Sequence, residues 1–346
     1  MAARPFDALL LVSFGGPEKP EDVVPFLQNV TAGRGIPRER LEEVGEHYFL
    51  FGGKSPLNDL NRELIGAVEA DLREHDVELP VYWGNRNWDP YLRDTMQQMV
   101  DDGVRRVAYF VTSAYSSYSG CRQYRENLAQ AAAGLDLELV RLRLYFNHPG
   151  FVGPFTEATQ HELAQAPEGT HVVFVTHSIP ETMNDASGGP GVGAYRTQHE
   201  EVARLVAAGA GAHDFSLAYC SRSGSPHTPW LEPDVNDHLE TLADTGVRSV
   251  VVVPIGFVSD HMEVIYDLDT EARKTAEKLG LRFARAATPD RHPAFVAMIR
   301  QLALERAAVA ADPDTRRAVV GGCPPNPETC DVGCCANPRA ELPAVP

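Results

Sequence analysis

The chain has 346 residues, 43% of them hydrophobic and 23% charged, with a formal net charge of -17 at pH 7. That length points to two domains of ordinary size, and the composition is that of a soluble globular protein. The acidic balance excludes nucleic acid as a partner, because neutralising phosphates needs a basic face, but a few local arginines can still hold a small anion.

The start, MAARPFDALLLVSFGG, runs straight into a strand-and-turn pattern with no charged, apolar signal region. A cytoplasmic protein is expected, its cysteines serving as reduced thiols or metal ligands. The longest apolar runs, such as VRSVVVVPIGFV (247–258), are too short for a transmembrane segment and read as buried strands.

Strands are predicted at DALLLVSF (7–14), LPVYWGN (79–85), RRVAYFVTSA (105–114) and LELVRLRLYF (137–146). Four more follow at THVVFVTHS (170–178), DFSLAYCS (214–221), RSVVVVPIGFV (248–258) and RFARAAT (282–288). Between them lie amphipathic helices such as 57–75 and 263–280, and a helix over 292–308 closes the regular pattern. Strands that are apolar throughout and separated by helices imply parallel sheets covered on both faces. The fold class expected is α/β, with two doubly wound parallel-sheet domains of Rossmann type facing a cleft, related by a gross duplication. The expected division is a first domain at 1–148, a second at 149–290, a terminal helix at 291–310 packing back across both, and a tail at 311–346.

Ligands of open α/β sheets bind beyond the carboxyl ends of the strands. The residues leaving the strands there are Ser13–Pro17, Thr112–Tyr118, His177–Pro180, Cys220–Ser225 and Phe257–Glu263. FGGKSP (51–56) is not a phosphate loop, since Tyr48 stands where the pattern needs glycine, and FGGPEKPED (14–22) lacks dinucleotide spacing. Both read as turns, with a close approach of backbone to a flat ligand left open. In VVFVTHSIPE (172–181), His177 ends a strand and reads either as a metal ligand or proton acceptor near pH 7, or as a loop tie.

In GFVSDHMEVIYDLDTEA (256–272), Asp260, His261 and Glu263 cluster at a strand end, and Glu263, Asp267 and Glu271 follow at i, i+4 and i+8. The row reads as a solvated acidic face or as a path for cations and protons. Its start at the crevice edge opposite His177 favours the path. A facing His–Glu pair without a third strong ligand suits a transient divalent ion or proton handling. The reading sets the two side chains on opposite lobes with the ligand between them. Tyr115, Tyr118, Tyr124, Trp88 and Tyr91 beside Arg86, Arg122 and Arg125 suit a flat anionic ligand.

VSFGGPE, HYFLFGGKSPLN, GNRNW, TSAYSSYSGCRQYREN, VTHSIPE and VPIGFVSDHMEVIYDLD, in that order, resemble the ferrochelatases over roughly residues 7–310. The resemblance implies a chelatase-like fold that inserts Fe²⁺ into a porphyrin in the interdomain cleft. It carries over His177 as the catalytic and metal-handling histidine, with Glu263 as its partner. Asp260, His261, Asp267 and Glu271 become the proton and metal path, and Ser55, Tyr124 and Phe14 become porphyrin contacts. Some bacterial members carry a tyrosine at the position of Phe14 that can ligate product iron, an oxygen this chain lacks.

Similarity to monoderm bacterial members implies coproporphyrin III rather than protoporphyrin IX. The four propionates of coproporphyrin would draw on Arg34, Arg38, Lys54, Arg86, Arg122 and Arg125. Implied partners are the porphyrin, Fe²⁺ and transient contacts with neighbouring haem-pathway enzymes, the chain acting as a monomer. A cobalt or nickel chelatase, a porphyrin carrier and a nucleotide-dependent enzyme are the competing readings. The first tends to place a second histidine where Glu263 lies, and the carrier needs no acidic row.

Tail cysteines at 323, 330, 334 and 335 fit zinc spacing only loosely. The resemblance implies a [2Fe–2S] cluster on Cys121, Cys323, Cys330 and Cys335 (or Cys334), pinning the tail to the first domain. Cys220 reads as a buried strand residue.

Overall fold

The computed structural model describes residues 5–33, 35–223, 227–331 and 333–346, so Arg34 and Ser225 lie outside the described residues. All eight predicted strands form. They are β1 (Ala8–Ser13), β2 (Val81–Asn85), β3 (Arg106–Val111) and β4 (Glu138–Arg141), then β5 (His171–His177), β6 (Phe215–Cys220), β7 (Ser249–Val253) and β8 (Arg282–Arg285). Several ladders stop short of their apolar runs. The run predicted to continue to 258 leaves the sheet after Val253, because Pro254 has no N–H to give a neighbour.

The strands make two sheets, ordered β2-β1-β3-β4 and β6-β5-β7-β8, with every ladder parallel. The two orders are the same, as a duplication requires. In the first sheet β1 is fully buried, and Leu10, Val12, Met96, Tyr109 and Leu128 share one apolar core. In the second, Val173, Val175, Val250 and Val252 pack with Leu239 and Leu268. Helices of both units connect successive parallel strands, the arrangement expected when a strand is apolar on both faces.

Two compact units result, and both are discontinuous. Met1–Thr112, Tyr124–Leu142 and Pro343–Pro346 form one, and Ser113–Gln123 with Arg143–Leu342 forms the other. This differs from a single division at 148/149. The segment after β3 joins the second unit because Tyr115 stacks on His199, meets Phe146 and Phe151, and donates its hydroxyl to the Ile255 carbonyl at 2.8 Å. The terminal helix Pro293–Ala311, expected to pack back across the domains, lies in the second unit on helix Pro149–Leu163. Phe295 fits edge-on against Tyr145 there. Among the described residues no helix is long and apolar enough to cross a membrane.

A buried ion pair fixes that terminal helix. Arg143 reaches Glu305 through Nε at 2.5 Å and Nη2 at 3.2 Å, and Nη2 also donates to the Ala318 carbonyl at 2.8 Å. The side chains are 1% and 10% exposed. Two charges taken from water repay that cost only when paired, so removing one partner strands the other. Glu305→Ala is expected to cost about 3–5 kcal/mol in urea unfolding, and Arg143→Met with Glu305→Leu much less. Equal losses in the single and double variants would show that the pair adds no buried-charge constraint.

Candidate active site

In a 2-1-3-4 order the crossovers diverge between the two central strands, leaving a crevice at their carboxyl ends. In the second sheet those strands are β5 and β7, paired with Phe174 opposite Val253. β5 ends on His177. Beyond β7 the chain turns through Ile255–Ser259 to Glu263, which opens a π-helical segment, Val264–Ala272.

The imidazole and the carboxylate therefore come from one sheet edge. His177 Nε2 lies 3.4 Å from Glu263 Oε1. This corrects the expectation that they face each other from opposite lobes, since at that separation no macrocycle lies between them. His177 Nδ1 donates to the Ser178 carbonyl, which orients Nε2 toward Glu263. Burial alone would depress the imidazole, but the Glu263 charge and hydrogen bond outweigh it and raise His177 to about 9. Burial would likewise raise Glu263, and His177 instead pulls it to about 2. The unliganded pair is thus imidazolium and carboxylate across neutral pH, with side chains still 33% and 46% exposed.

The other members of the predicted row divide in role. Asp267 is half-buried and accepts from the Ser221 hydroxyl, and Ser221 itself sits at φ 60°, a left-handed conformation unusual for serine. Burial, helped by the Glu263 charge and only partly opposed by Ser221, lifts Asp267 to about 7. Glu271 is exposed and hydrogen-bonded to Tyr266. His261 Nδ1 accepts the Glu263 N–H at 3.2 Å, and burial lowers the ring's proton affinity, so it caps the segment as a neutral group.

Asp260 does not point along the row. Arg285 Nη2 and Nη1 hold its two oxygens at 2.7 and 3.1 Å, and Thr288 adds a hydrogen bond at 2.9 Å. The sequence predicts a helix over 263–280, whereas the structure builds the π segment first and α-helix only at Arg273–Lys278. Such widened turns concentrate at functional sites.

Beneath His177 lies a buried network that the motifs did not reveal. Tyr195 donates its hydroxyl to the His177 carbonyl at 2.7 Å, and Thr176 Oγ1 lies 2.8 Å from His199 Nε2. His199 Nδ1 is bonded to the Tyr195 carbonyl at 2.7 Å, and burial lowers the ring to about 3. It is a neutral brace. Its only sequence signal is Tyr195 and His199 four apart on one helix face.

In the first unit, Arg86 lies over the rings of Phe14 at 5.5 Å and Tyr124 at 4.6 Å, and Nε donates to Asn127 at 2.8 Å. Phe14 is exposed at the end of β1, and Tyr124 is buried. Ser55 is buried, its hydroxyl accepting the Leu57 N–H at 3.3 Å. Gly16 approaches so closely that an added Cβ would sit 2.7 Å from Ser55, and Gly15 takes φ +84° beside Asn85. The glycine pair in this turn thus meets the protein's own side chains.

Of the basic residues expected at propionates, Arg122 and Arg125 are buried. Arg122 donates to the Leu342 carbonyl at 3.1 Å and Arg125 to the Val345 carbonyl at 2.6 Å. Lys54 pairs with Asp59 at 2.5 Å and Arg38 with Glu42 at 2.7 Å. Among the described residues of this set, Arg86 alone joins the aromatic stack.

The tail cysteines lie in the second unit, as does Cys121 on the π turn Tyr118–Arg122, so a tail pinned by Cys121 is held within that unit. Cys334 Sγ is 3.7 Å from Cys335 Sγ, and hydrogen bonds with Cys330 and Cys335 push the Cys334 thiol far above its ordinary range. Cys335 is buried and accepts the Gly188 N–H at 3.3 Å. Cys323 lies near Glu201 and Arg204, its carbonyl accepting from Asn147 at 2.9 Å. Among the described residues no three His, Cys, Asp or Glu side chains are grouped so as to hold a metal ion.

A family model described as Ferrochelatase matches residues 6–307. The chain is 55% identical to a protein of Streptomyces griseus named coproporphyrin III ferrochelatase, over 99% of this chain and 96% of that one. It is 54% identical to one of Mycolicibacterium smegmatis with the same name, over 86% and 88%. Among solved structures, SirB from Bacillus subtilis with Fe3+ aligns with a TM-score of 0.52 at 13% identity, covering 88% of this chain and 96% of that one. That likeness supports the chelatase-like fold.

The folded chain holds the Asp267 proton more tightly than the unfolded chain, at about 7 against 3.8. The resulting stabilisation is full below pH 3.8 and lost as pH rises through 7. The difference in melting temperature between Asp267→Asn and the parent should therefore shift in the variant's favour from pH 4 to pH 8. A shift the other way would place the Asp267 charge in a favourable setting.

Proposed function

The chain belongs to the ferrochelatase family, and on that premise we propose that His177 and Glu263 are the pair with which it inserts Fe²⁺ into coproporphyrin III, forming the iron porphyrin in haem synthesis. The observation that carries the roles is the 3.4 Å contact between these two side chains at the switch point of the second sheet. The choice of coproporphyrin over protoporphyrin IX is supported by relatives of that name at 54–55% identity. Phe14, Ser55 and Tyr124 are assigned to the porphyrin, with Arg86 the basic group over the Phe14 and Tyr124 rings. Action as a monomer is proposed with these roles.

Insertion replaces two pyrrole N–H protons by one dication, so two protons must leave. Paired with Glu263, the His177 imidazole holds its proton across neutral pH, and in that form it can accept no other. Fe²⁺ arriving at Glu263 competes with the imidazolium for the carboxylate. Without that partner the imidazole loses what holds it near 9 and releases its proton to solvent water, to which its side chain is partly exposed. Neutral His177 can then take a pyrrole proton, and Asp267, poised near 7, is the next acceptor along the row. Asp260 is assigned to supporting the site, because Arg285 and Thr288 occupy its oxygens.

A [2Fe–2S] cluster on Cys121, Cys323, Cys330 and Cys335 is proposed for the tail. What supports it is the buried Cys335 sulfur that already accepts a backbone N–H, a bond that also stabilises a thiolate. This favours Cys335 over Cys334. The cluster would supply a crosslink within the second unit, and insertion requires no electron from it. Thiolate ligands of this kind fit a reducing cytoplasm.

Anaerobic assay with Fe²⁺ and free porphyrin tests the reading. His177→Ala is expected to lower turnover about 10²–10⁴-fold, the usual worth of a positioned acid–base group. Coproporphyrin III should be metallated faster than protoporphyrin IX. Tight porphyrin binding without insertion by the parent protein would point to a carrier instead. For the tail, anaerobically purified protein should show visible sulfur-to-iron charge-transfer bands that Cys335→Ser removes, and a colourless parent would refute the cluster.

A further inference from the structure

We propose that Arg285 is a positioning residue for iron insertion, acting through the segment that carries Glu263. The inference rests on the reading of Glu263 given above.

Arg285 ends β8 and is largely buried, its side chain 13% exposed. Its guanidinium spans two carboxylates on either side of Glu263. Nη1 and Nη2 take both oxygens of Asp260, three residues before, and Nε takes Asp269 Oδ1 at 2.7 Å, six residues after. Thr288, just beyond β8, adds its hydroxyl to Asp260. The loop leading into Glu263 and the π segment following it are thereby fastened to a rigid strand. A planar fork with fixed donors sets orientation as well as distance, which a lysine cannot reproduce at two acids. The π segment runs for nine residues where such widening is usually a single turn, so support from outside it is expected. Arg285 itself touches neither His177 nor Glu263. Its effect is to hold Glu263 where the imidazole meets it.

Misplacing a reacting group by about 1 Å can cost 10²-fold in rate. Arg285→Gln is therefore expected to lower kcat roughly 10- to 100-fold while leaving KM for the porphyrin within about twofold. Arg285→Lys should restore part of the kcat. Acting through Glu263, the substitution should add little to Glu263→Gln in a double variant.

Multiplicative losses in the double variant, or a parental kcat in Arg285→Gln, would overturn the inference. Full turnover by Glu263→Gln alone would instead bring down the underlying reading, and this inference with it. Melting temperatures confirm that each variant folds. If Arg285→Gln does not fold, Asp269→Asn removes one arm of the clamp, and it should lower kcat in the same sense with porphyrin KM unchanged. A parental kcat there would count against the proposal.

Discussion

The contact between the His177 imidazole and the Glu263 carboxylate, at 3.4 Å, sets the demands on the rest of the second unit. Opposite charges that close hold one another in their ionised forms, so each determines what the other can do. A histidine tied to a carboxylate is a poor base until something with greater affinity takes the carboxylate away. A dication is such a competitor. On the proposed roles, arrival of the metal and readiness of the base are one event, with free imidazole present only when iron is there to enter the ring.

Holding such a pair needs rigid supports on both sides, and the sheet supplies them. β5 brings His177 to its carboxyl end, and Tyr195 secures the His177 carbonyl from below. Glu263 stands on a loop and a widened helical turn, which are weak supports by themselves. The Asp260–Arg285–Asp269 bridge gives that side the stiffness that β5 gives the other. Conformational freedom left at either support would be paid for in misaligned encounters.

The strands were legible because each is an apolar run between helical patterns. Their number and places along the chain followed from those runs, down to a repeat of four and four, but the order within each sheet did not. What the period could not show is where ladders stop and which unit a connecting segment joins. Tyr115 lies next to β3 in sequence, but its ring and hydroxyl are satisfied in the second unit, so the chain crosses there. Charge spacing was likewise ambiguous. Glu263, Asp267 and Glu271 follow at one spacing, but the i, i+4 rule says nothing of depth or partners: burial raises Asp267, whereas His177 pulls Glu263 down. Asp260 looked like one more acid until Arg285, distant in sequence, was seen to occupy it.

The arginines of the motif TSAYSSYSGCRQYREN carry the same lesson further. Aromatics with arginines nearby suggest a flat anion, but a guanidinium responds equally to a backbone carbonyl. Arg122 donates to the Leu342 carbonyl and Arg125 Nε to that of Val345, while Arg125 Nη1 is buried with no partner among the described residues. A buried guanidinium left without acceptors would be costly, so these bonds give the tail a reason to be ordered that owes nothing to sulfur. The proposed cluster would then act on a segment already anchored at Leu342 and Val345. Loop closure over a shorter free length loses less entropy, and a cluster could form there without ordering the whole tail itself.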